Sequence, residues 1–306
     1  MFLEIIEGTI VAAFGRHYEV ETDDGRRWQA TPRGKRSIYA CGDRVRLEPG
    51  GNGQARIQDH LPRNTLLYRS DAWKQKLIAA NATQIVLVVA TEPGFSDELL
   101  SRALVAAEHE RMRALIVLNK CDLEDRLDAA RAQLAPFAAL GYPVLELAAK
   151  RDVAPLRPWL SGQVSVLVGQ SGMGKSTLVN ALVPGAAAPT REISDALDSG
   201  KHTTTHARVY RLAGLDGPVG TSAIIDSPGL QEFGLAHLSF GEIEHSFPEF
   251  RPTLGQCRFH DCRHAAEPGC AVKALVGADA VDRRRYAHFR SIMEMAQFSS
   301  SHHKQP

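Results

Sequence analysis

The sequence predicts a multi-domain protein with a small N-terminal β-barrel over residues 1–65, a central doubly wound α/β domain over 66–240 and a mainly helical C-terminal part over 241–306. Three observations carry that reading. Up to about residue 62, short β-like runs are cut by Gly, Pro and Asn-Gly signals and show no helical period. From about residue 78, apolar strand-like runs alternate with helical stretches. After about Phe240 the strand-like runs stop, and three of the five cysteines crowd into residues 257–270.

The barrel strands are read in "GTIVAAFGRHYEVET", "RRWQATPRG", "GDRVRLE" and "GQARIQDHLP". "QIVLVVAT" is a buried strand, and the stretch from "SDELL" carries Leu99, Leu100, Ala103, Leu104 and Ala107 on one helical stripe, with Ser96 or Asp97 as its cap. "ALIVLNK" is a second buried strand, followed by an Ala-rich helix to about Leu140. "PVLELA", "QVSVLVG", "ARVYRL" and "SAIID" complete a mostly parallel sheet. In the tail a helix is expected from about Asp279 to Met295, and "SSSHHKQP" reads as a disordered end.

Composition excludes little. Hydrophobic residues make up 44% and charged residues 23%, an ordinary globular balance, and the net charge of +1 leaves any nucleic-acid argument to local clusters. The longest apolar run, "IVLVVA" at 85–90, is too short to span a bilayer, and "MFLEIIEGTI" carries acids where a secretion signal needs bases. A cytoplasmic protein without membrane attachment is expected, and crowded cysteines there suit a metal better than disulfides.

"GQSGMGKST" at 169–177 fits the P-loop pattern, directly after "VSVLV" and before the helix-like "TLVNALV". Gly169, Gln170, Ser171, Gly172, Met173 and Gly174 form the phosphate cradle and Thr177 closes the motif. Lys175 supplies charge to the β and γ phosphates, and the Ser176 hydroxyl is placed for Mg²⁺. "NKCD" at 119–122 selects the base, since the Asp122 carboxylate accepts hydrogen bonds from guanine N1 and the exocyclic amine, which adenine does not offer. Asn119 holds the base edge and neighbouring loop, the Lys120 stem lies on the ring, and Cys121 fills the variable position. "DSPG" at 226–229 places Asp226 to reach Mg²⁺ through water and the Gly229 N–H at the γ phosphate. "GKHTTTH" at 200–206 offers Thr203, Thr204 or Thr205 as a switch ligand of Mg²⁺, with Thr204 the central choice and the start of a β-strand the plain alternative. "LAAK" at 147–150 is either the loop whose N–H meets guanine O6 or an ordinary strand end.

In ordinary GTPases the cradle precedes the base reader, whereas here "NKCD" comes first. Strand order in the sheet, not chain order, brings loops together, so this is a circular permutation that leaves the site intact. The barrel, "GQSGMGKST", "GKHTTTH", "DSPGLQEFGL" and a tail with "CRFHDCRH" and "EPGC" together resemble the ribosome small-subunit-dependent GTPases of the RsgA/YjeQ family, over essentially the whole chain. That resemblance implies an OB-fold at the N-terminus, a permuted GTPase domain and a zinc-binding C-terminal domain. It also implies a role in late 30S maturation, with hydrolysis of GTP to GDP stimulated by the subunit. "LAAK" is a poor version of the family's final base loop.

Many GTPases position the attacking water with a glutamine after DxxG; here Leu230 stands there, and slow unassisted hydrolysis follows. His202 and His206 flank the threonines as candidates to assist, against the plain reading of solvated loop residues. Cys257, Cys262, His264 and Cys270, with four, one and five intervening residues, offer a closed tetrahedral, structural zinc site. His260 competes by spacing, and the resemblance favours His264.

Arg26, Arg27, Arg33, Lys35, Arg36, Arg44 and Arg46, with Trp28 and Tyr39 interleaved, read as an RNA surface for 16S rRNA or as a solvated barrel face. "RRRYAHFR" at 283–290 is a second candidate, its aromatics alternatively anchoring a helix to the zinc module. Two further readings stand beside the 30S-dependent monomeric enzyme: a GTP-responsive rRNA-binding module, and a GTPase serving another RNA or protein partner.

Overall fold

The computed structural model describes residues 5–34, 38–70, 75–186, 188, 207–215, 221–227, 235 and 237–302, with backbone alone for 69–70, 75–76 and 297–302. Five strands build the expected barrel: β1 (Ile6–Phe14), β2 (His17–Thr22), β3 (Arg27–Pro32), β4 (Arg44–Pro49) and β5 (Gln54–His60). Their order is β1-β2-β3-β5-β4, closed by antiparallel pairing of β1 with β4, while β3 and β5 run parallel. Alternation along the pleat turns Ile10, Tyr18, Val20, Val45, Leu47 and Ile57 inward, all fully buried. The buried Asp43 carboxylate beside them accepts the Ala40 N–H at 2.8 Å and pairs with Arg63 Nε at 2.6 Å, which is what makes its burial tolerable.

A hairpin that the sequence reading did not anticipate follows, β6 (Leu66–Ser70) against β7 (Gln75–Ala80). Its register shifts between Leu67 and Tyr68, and that break erases the strict alternation by which a strand is recognised.

The central sheet comprises β8 (Gln84–Ala90), β9 (Arg113–Asn119), β10 (Val144–Glu146), β11 (Val164–Val168), β12 (Ala207–Arg211) and β13 (Ala223–Asp226). The order is β10-β9-β8-β11-β13-β12, parallel except for β12. Buried residues occupy all seven positions of β8, as expected for a strand covered on both faces. Helix α1 (Asp97–His109) is capped by Ser96, whose Oγ accepts the Leu99 N–H at 3.2 Å, so Ser96 and not Asp97 is the cap. Helices α2 (Leu127–Ala139), α3 (Arg157–Leu160) and α4 (Lys175–Leu182) complete the layers.

Barrel and central sheet are continuous. Pairing of β1 with β4 ends at Thr9, and past a register shift between Ile10 and Ala12 the end of β1 stays paired with β2 while its free edge takes β12, Ala12 opposite Arg208 and Ala13 opposite Ala207. Arg211 Nε meets Glu21 at 2.7 Å and the Cys41 thiol donates to the Ala207 carbonyl at 3.1 Å, so side chains reinforce the seam.

Beyond Phe240 the chain is helical, as expected. Helix Phe240–His245 opens with a capping box in which the Ser239 and Glu242 side chains satisfy each other's backbone N–H groups. A 3₁₀ segment, Pro248–Thr253, and helix Ala271–Gly277 follow. The last helix was expected from about Asp279 to Met295 but spans Arg283–His302. It starts later because Asp282 Oδ1 accepts the Arg284 and Arg285 N–H groups at 2.8 and 3.1 Å. It ends later, within the run expected to be disordered, because extending an existing helix costs far less than nucleating one. Phe247, Phe250 and Phe289 are fully buried, and the apolar core is contiguous from Ile10 to Ala296. Among the described residues no helix is long and apolar enough to cross a membrane.

Candidate nucleotide site and metal centre

The P-loop sits where the sequence places it, between β11 and α4. Its glycines are demanded by space as well as by conformation. A Cβ on Gly169 would lie 2.2 Å from the Val88 carbonyl, and one on Gly174, whose φ is +94°, would lie 2.2 Å from Asn119 Nδ2. Gly172 also has a positive φ of +81°. Lys175 Nζ donates to the carbonyls of Gly169 and Gln170 at 2.6 and 2.9 Å, which folds its ammonium over the loop. Ser176 and Thr177 are half-buried on the first turn of α4, Ser171 is exposed, and Met173 anchors the loop in the core. The Gln170 amide oxygen accepts the Ser96 N–H at 2.9 Å, tying the P-loop to the cap of α1.

Asp226 ends β13, one strand away from β11. Burial pushes its carboxyl up to about 6, partly offset by the Lys175 charge, and burial likewise pulls the Lys175 ammonium down. A carboxylate and an ammonium that both lack full solvation gain from a cation and a phosphate respectively, which is the pairing a Mg²⁺–nucleotide brings.

Asn119 joins the two motifs that the chain separates. It is buried; its Nδ2 donates to the Met173 carbonyl at 2.9 Å, and its Oδ1 accepts the Lys120 N–H at 2.8 Å and the Ala149 N–H at 2.9 Å. One side chain thereby fastens the P-loop, "NKCD" and "LAAK" together. Cys121 N–H donates to Leu147 O at 3.2 Å, a second tie between the base loops. Lys120, at φ +62°, donates through Nζ to Glu92 O at 2.7 Å, and its own carbonyl accepts the Thr91 hydroxyl at 2.9 Å. The loop after β8 thus supports the site, and sequence reasoning missed it; its only signal was a position at the carboxyl end of the neighbouring strand. The Asp122 carboxylate faces Arg151 Nε at 3.7 Å. His202, Thr203, Thr204, Thr205, His206, Gly229 and Leu230 lie outside the described residues.

Cys257, Cys262, His264 and Cys270 converge, their ligand atoms all within 4.8 Å of one another. His264 Nδ1 lies 3.6 Å from the sulfurs of Cys257 and Cys262 and 3.3 Å from that of Cys270. His264 Nε2 meets Glu244 Oε2 at 2.9 Å, the carboxylate–histidine arrangement that orients a metal-bound imidazole. Backbone N–H groups of His264, Ala271 and Lys273 each approach a sulfur at 3.4 Å, as suits thiolates. Burial pushes the Cys262 thiol up to about 12, and a bound cation would favour its thiolate. Three soft sulfurs and one imidazole are compatible with tetrahedral zinc. His260 is exposed and outside the cluster, which settles the spacing ambiguity in favour of His264.

The basic surfaces differ from expectation. Tyr39 is buried and Trp28 half-buried with its indole N–H inside, so both pack the barrel rather than offer stacking faces. Arg26 pairs with Asp24 at 2.8 Å, Arg27 with Glu19 at 2.6 Å, Arg44 with Asp23 at 2.6 Å and Arg46 with Glu7 at 3.5 Å, while Arg33 meets Gln58 at 3.1 Å. These acids belong to neighbouring strands and a turn outside the window in which the cations cluster, and only folding brings them across. Lys35 and Arg36 lie outside the described residues. In the "RRRYAHFR" run Arg283 and Arg284 are exposed, pairing with Asp279 at 3.2 Å and Asp97 at 3.5 Å, whereas Arg285 forms a joint. Arg285 is buried, pairs with Glu249 at 2.8 Å, donates to Ser101 Oγ at 2.8 Å and stacks on Phe247 at 4.6 Å. Tyr286 donates to the His264 carbonyl, and Phe289 sits in the core.

The chain has clear relatives. A family model described as RsgA GTPase matches residues 60–236. A protein of Neisseria meningitidis serogroup C named small ribosomal subunit biogenesis GTPase RsgA is 52% identical over 285 residues, 93% of this chain and 91% of its own length. One of the same name from Paraburkholderia phytofirmans is 52% identical over 297 residues, 95% and 93% of the two chains. The crystal structure of YjeQ from Thermotoga maritima is similar with a TM-score of 0.70 and 29% identity, covering 95% of this chain and 99% of its own. YloQ, described as a circularly permuted GTPase, matches at a TM-score of 0.66 and 22% identity over 99% and 97%, which is a likeness of fold. The matched region holds the reversed base and phosphate motifs that Asn119 joins, and with it the chain belongs to the RsgA GTPase family.

Proposed function

We propose that the protein is a GTPase of small-ribosomal-subunit biogenesis, binding the 30S particle and its 16S rRNA and hydrolysing GTP to GDP as the particle matures. The relatives bear that name over nearly their whole length. The observation that carries the reading is the Asn119 side chain, which bridges Met173 O and Ala149 N–H and so holds base and phosphate loops at one site. In this reading Asp122 reads guanine, Ala149 and Lys150 complete the base pocket, and Gly169 to Thr177 cradle the phosphates. Ser176 and Thr204 hold Mg²⁺, with Asp226 reaching it through water. Gly229 contacts the γ phosphate, and His202 and His206 are the candidates to assist the water. Cys257, Cys262, His264 and Cys270 hold one structural zinc, which rigidifies the C-terminal part. The division into an OB-fold barrel at 1–65, a permuted GTPase domain at 66–240 and a zinc domain at 241–306, in a cytoplasmic monomer, belongs to the same proposal.

Co-sedimentation with isolated 30S, 50S and 70S particles and a non-hydrolysable GTP analogue tests the partner. Selective recovery with 30S is expected; recovery with 50S alone, or with none, rejects it. Single-turnover hydrolysis should accelerate with saturating 30S, and a rate unchanged by the subunit would instead make the protein a GTP-responsive binding module.

A further inference from the structure

Asp122 is the group that distinguishes guanine from adenine in the proposed site, and its carboxylate is not alone. Arg151 Nε lies 3.7 Å from Asp122 Oδ2. No GTPase motif includes position 151. The residue follows "LAAK" on a turn held from several sides: the Arg151 and Asp152 N–H groups donate to Ala148 O at 2.8 and 3.0 Å, and Asp152 Oδ1 accepts the Ala154 N–H at 2.8 Å. The same loop is fastened to "NKCD" by Ala149 N–H on Asn119 Oδ1 at 2.9 Å and by Cys121 N–H on Leu147 O at 3.2 Å. Both ends of the ion pair therefore start from fixed backbone.

We propose that Arg151 is a specificity-determining positioning residue of the base pocket, its guanidinium restraining the Asp122 carboxylate in the orientation that reads the 2-amino group of guanine. The proposal rests on the reading of Asp122 as the guanine-binding carboxylate. Guanine presents two donors in one plane, N1–H and the 2-amino group, and a carboxylate engages both only when its two oxygens lie in that plane. A carboxylate otherwise turns freely about its last side-chain bond, since such sp³–sp² torsions are broad. A guanidinium charge 3.7 Å from one oxygen, an ion pair without a hydrogen bond, biases that rotation electrostatically. A base with N1–H but no 2-amino group, hypoxanthine, needs one oxygen only and gains little from the restraint. Arg151 thus acts on the difference between guanine and hypoxanthine rather than on nucleotide binding as such. The guanidinium side chain is 73% exposed and that of Asp122 25%, so the pair has the modest strength and salt sensitivity of a surface ion pair.

Equilibrium titration of full-length protein with fluorescent GDP and IDP, on wild type and on Arg151→Ala, reads this directly. GDP binding should weaken about two- to fivefold, the range set by an exposed ion pair, while IDP binding stays constant. Unchanged IDP binding also shows that the pocket has folded. Arg151→Lys, which keeps the charge but not the planar guanidinium, should fall between. Raising salt should shrink the GDP-over-IDP preference of wild type and leave that of Arg151→Ala unmoved. A parallel loss of GDP and IDP, no change in either, or tighter GDP binding in Arg151→Ala would overturn the proposal. Asp122→Asn separates this from the parent reading, because an amide donates to the 2-oxo group of xanthine. If Asp122→Asn switches preference from GDP to XDP while Arg151→Ala changes nothing, the role of Arg151 alone fails. If Asp122→Asn still prefers GDP over XDP, the guanine-reading role of Asp122 fails with it.

Discussion

Gly174 shows how little freedom a single position in the site retains. Its φ of +94° is costly for any side chain, and a Cβ would strike Asn119 Nδ2 at 2.2 Å. Gly174→Ala should therefore displace Asn119 from Met173 and Ala149 and weaken guanine nucleotide binding at least tenfold in a fluorescence titration, with far-UV circular dichroism unchanged. Asp226 sets a pH dependence. Burial disfavours its charge and pushes the folded carboxyl up to about 6 from the ordinary 3.8. Between those values the folded, nucleotide-free protein keeps a proton that the unfolded chain releases, so stability falls as pH rises through the window and the penalty is full above about 6. Asp226→Asn should raise the Tm of nucleotide-free protein at pH 7.5 and lose that advantage below about pH 4, while Mg²⁺-dependent nucleotide binding drops. An unchanged Tm difference across that range would contradict the assignment of the shift. Glu244, unmarked in the sequence, orients His264 from 2.9 Å, and Glu244→Ala should weaken metal affinity about 10–100-fold in a competition with a chromophoric chelator.

At the scale of elements, the last helix is bound to the GTPase layers by a buried charge. Arg285 is 1% exposed and Glu249 4%, and the guanidinium also reaches Ser101 on α1. Removing one partner leaves the other uncompensated, so Glu249→Ala should cost about 3–5 kcal/mol in urea unfolding. Arg285→Met in the same background should recover much of that loss, since an apolar side chain of similar volume carries no charge to strand. The motif "RRRYAHFR" could be read as RNA-facing because its composition is that of an exposed basic helix. Nothing local to it reveals that Glu249 and Ser101 stand opposite, one from the 3₁₀ segment and the other from α1.

For the whole molecule, the pairing of β1 with β12 makes the barrel a continuation of the central sheet. Native-state hydrogen exchange should find the amides of β1 and β13 protected to similar extents, as parts of one cooperative unit. Markedly faster exchange throughout β1 would show the barrel opening independently. The permutation has a related consequence: β12, which directly follows the proposed switch segment, is the strand that meets the barrel, so the seam lies beside the region expected to respond to nucleotide.

The sequence by itself determined the layered architecture, the P-loop and NKxD motifs and the three clustered cysteines. Each is local, written in strand alternation, glycine placement or cysteine spacing, and local backbone chemistry is legible without knowing what lies opposite. It also determined that chain order was reversed while the site survived, because strand adjacency rather than sequence adjacency assembles the loops. Only the tertiary structure decided which histidine joins the cysteines, which arginines are already paired and which aromatics are core. It alone also placed Glu244 behind His264, Asn119 between three loops and Arg151 on Asp122. Those are contacts between residues distant in the chain or on facing loops, and their strength depends on distance and burial, quantities that exist only once the chain has folded.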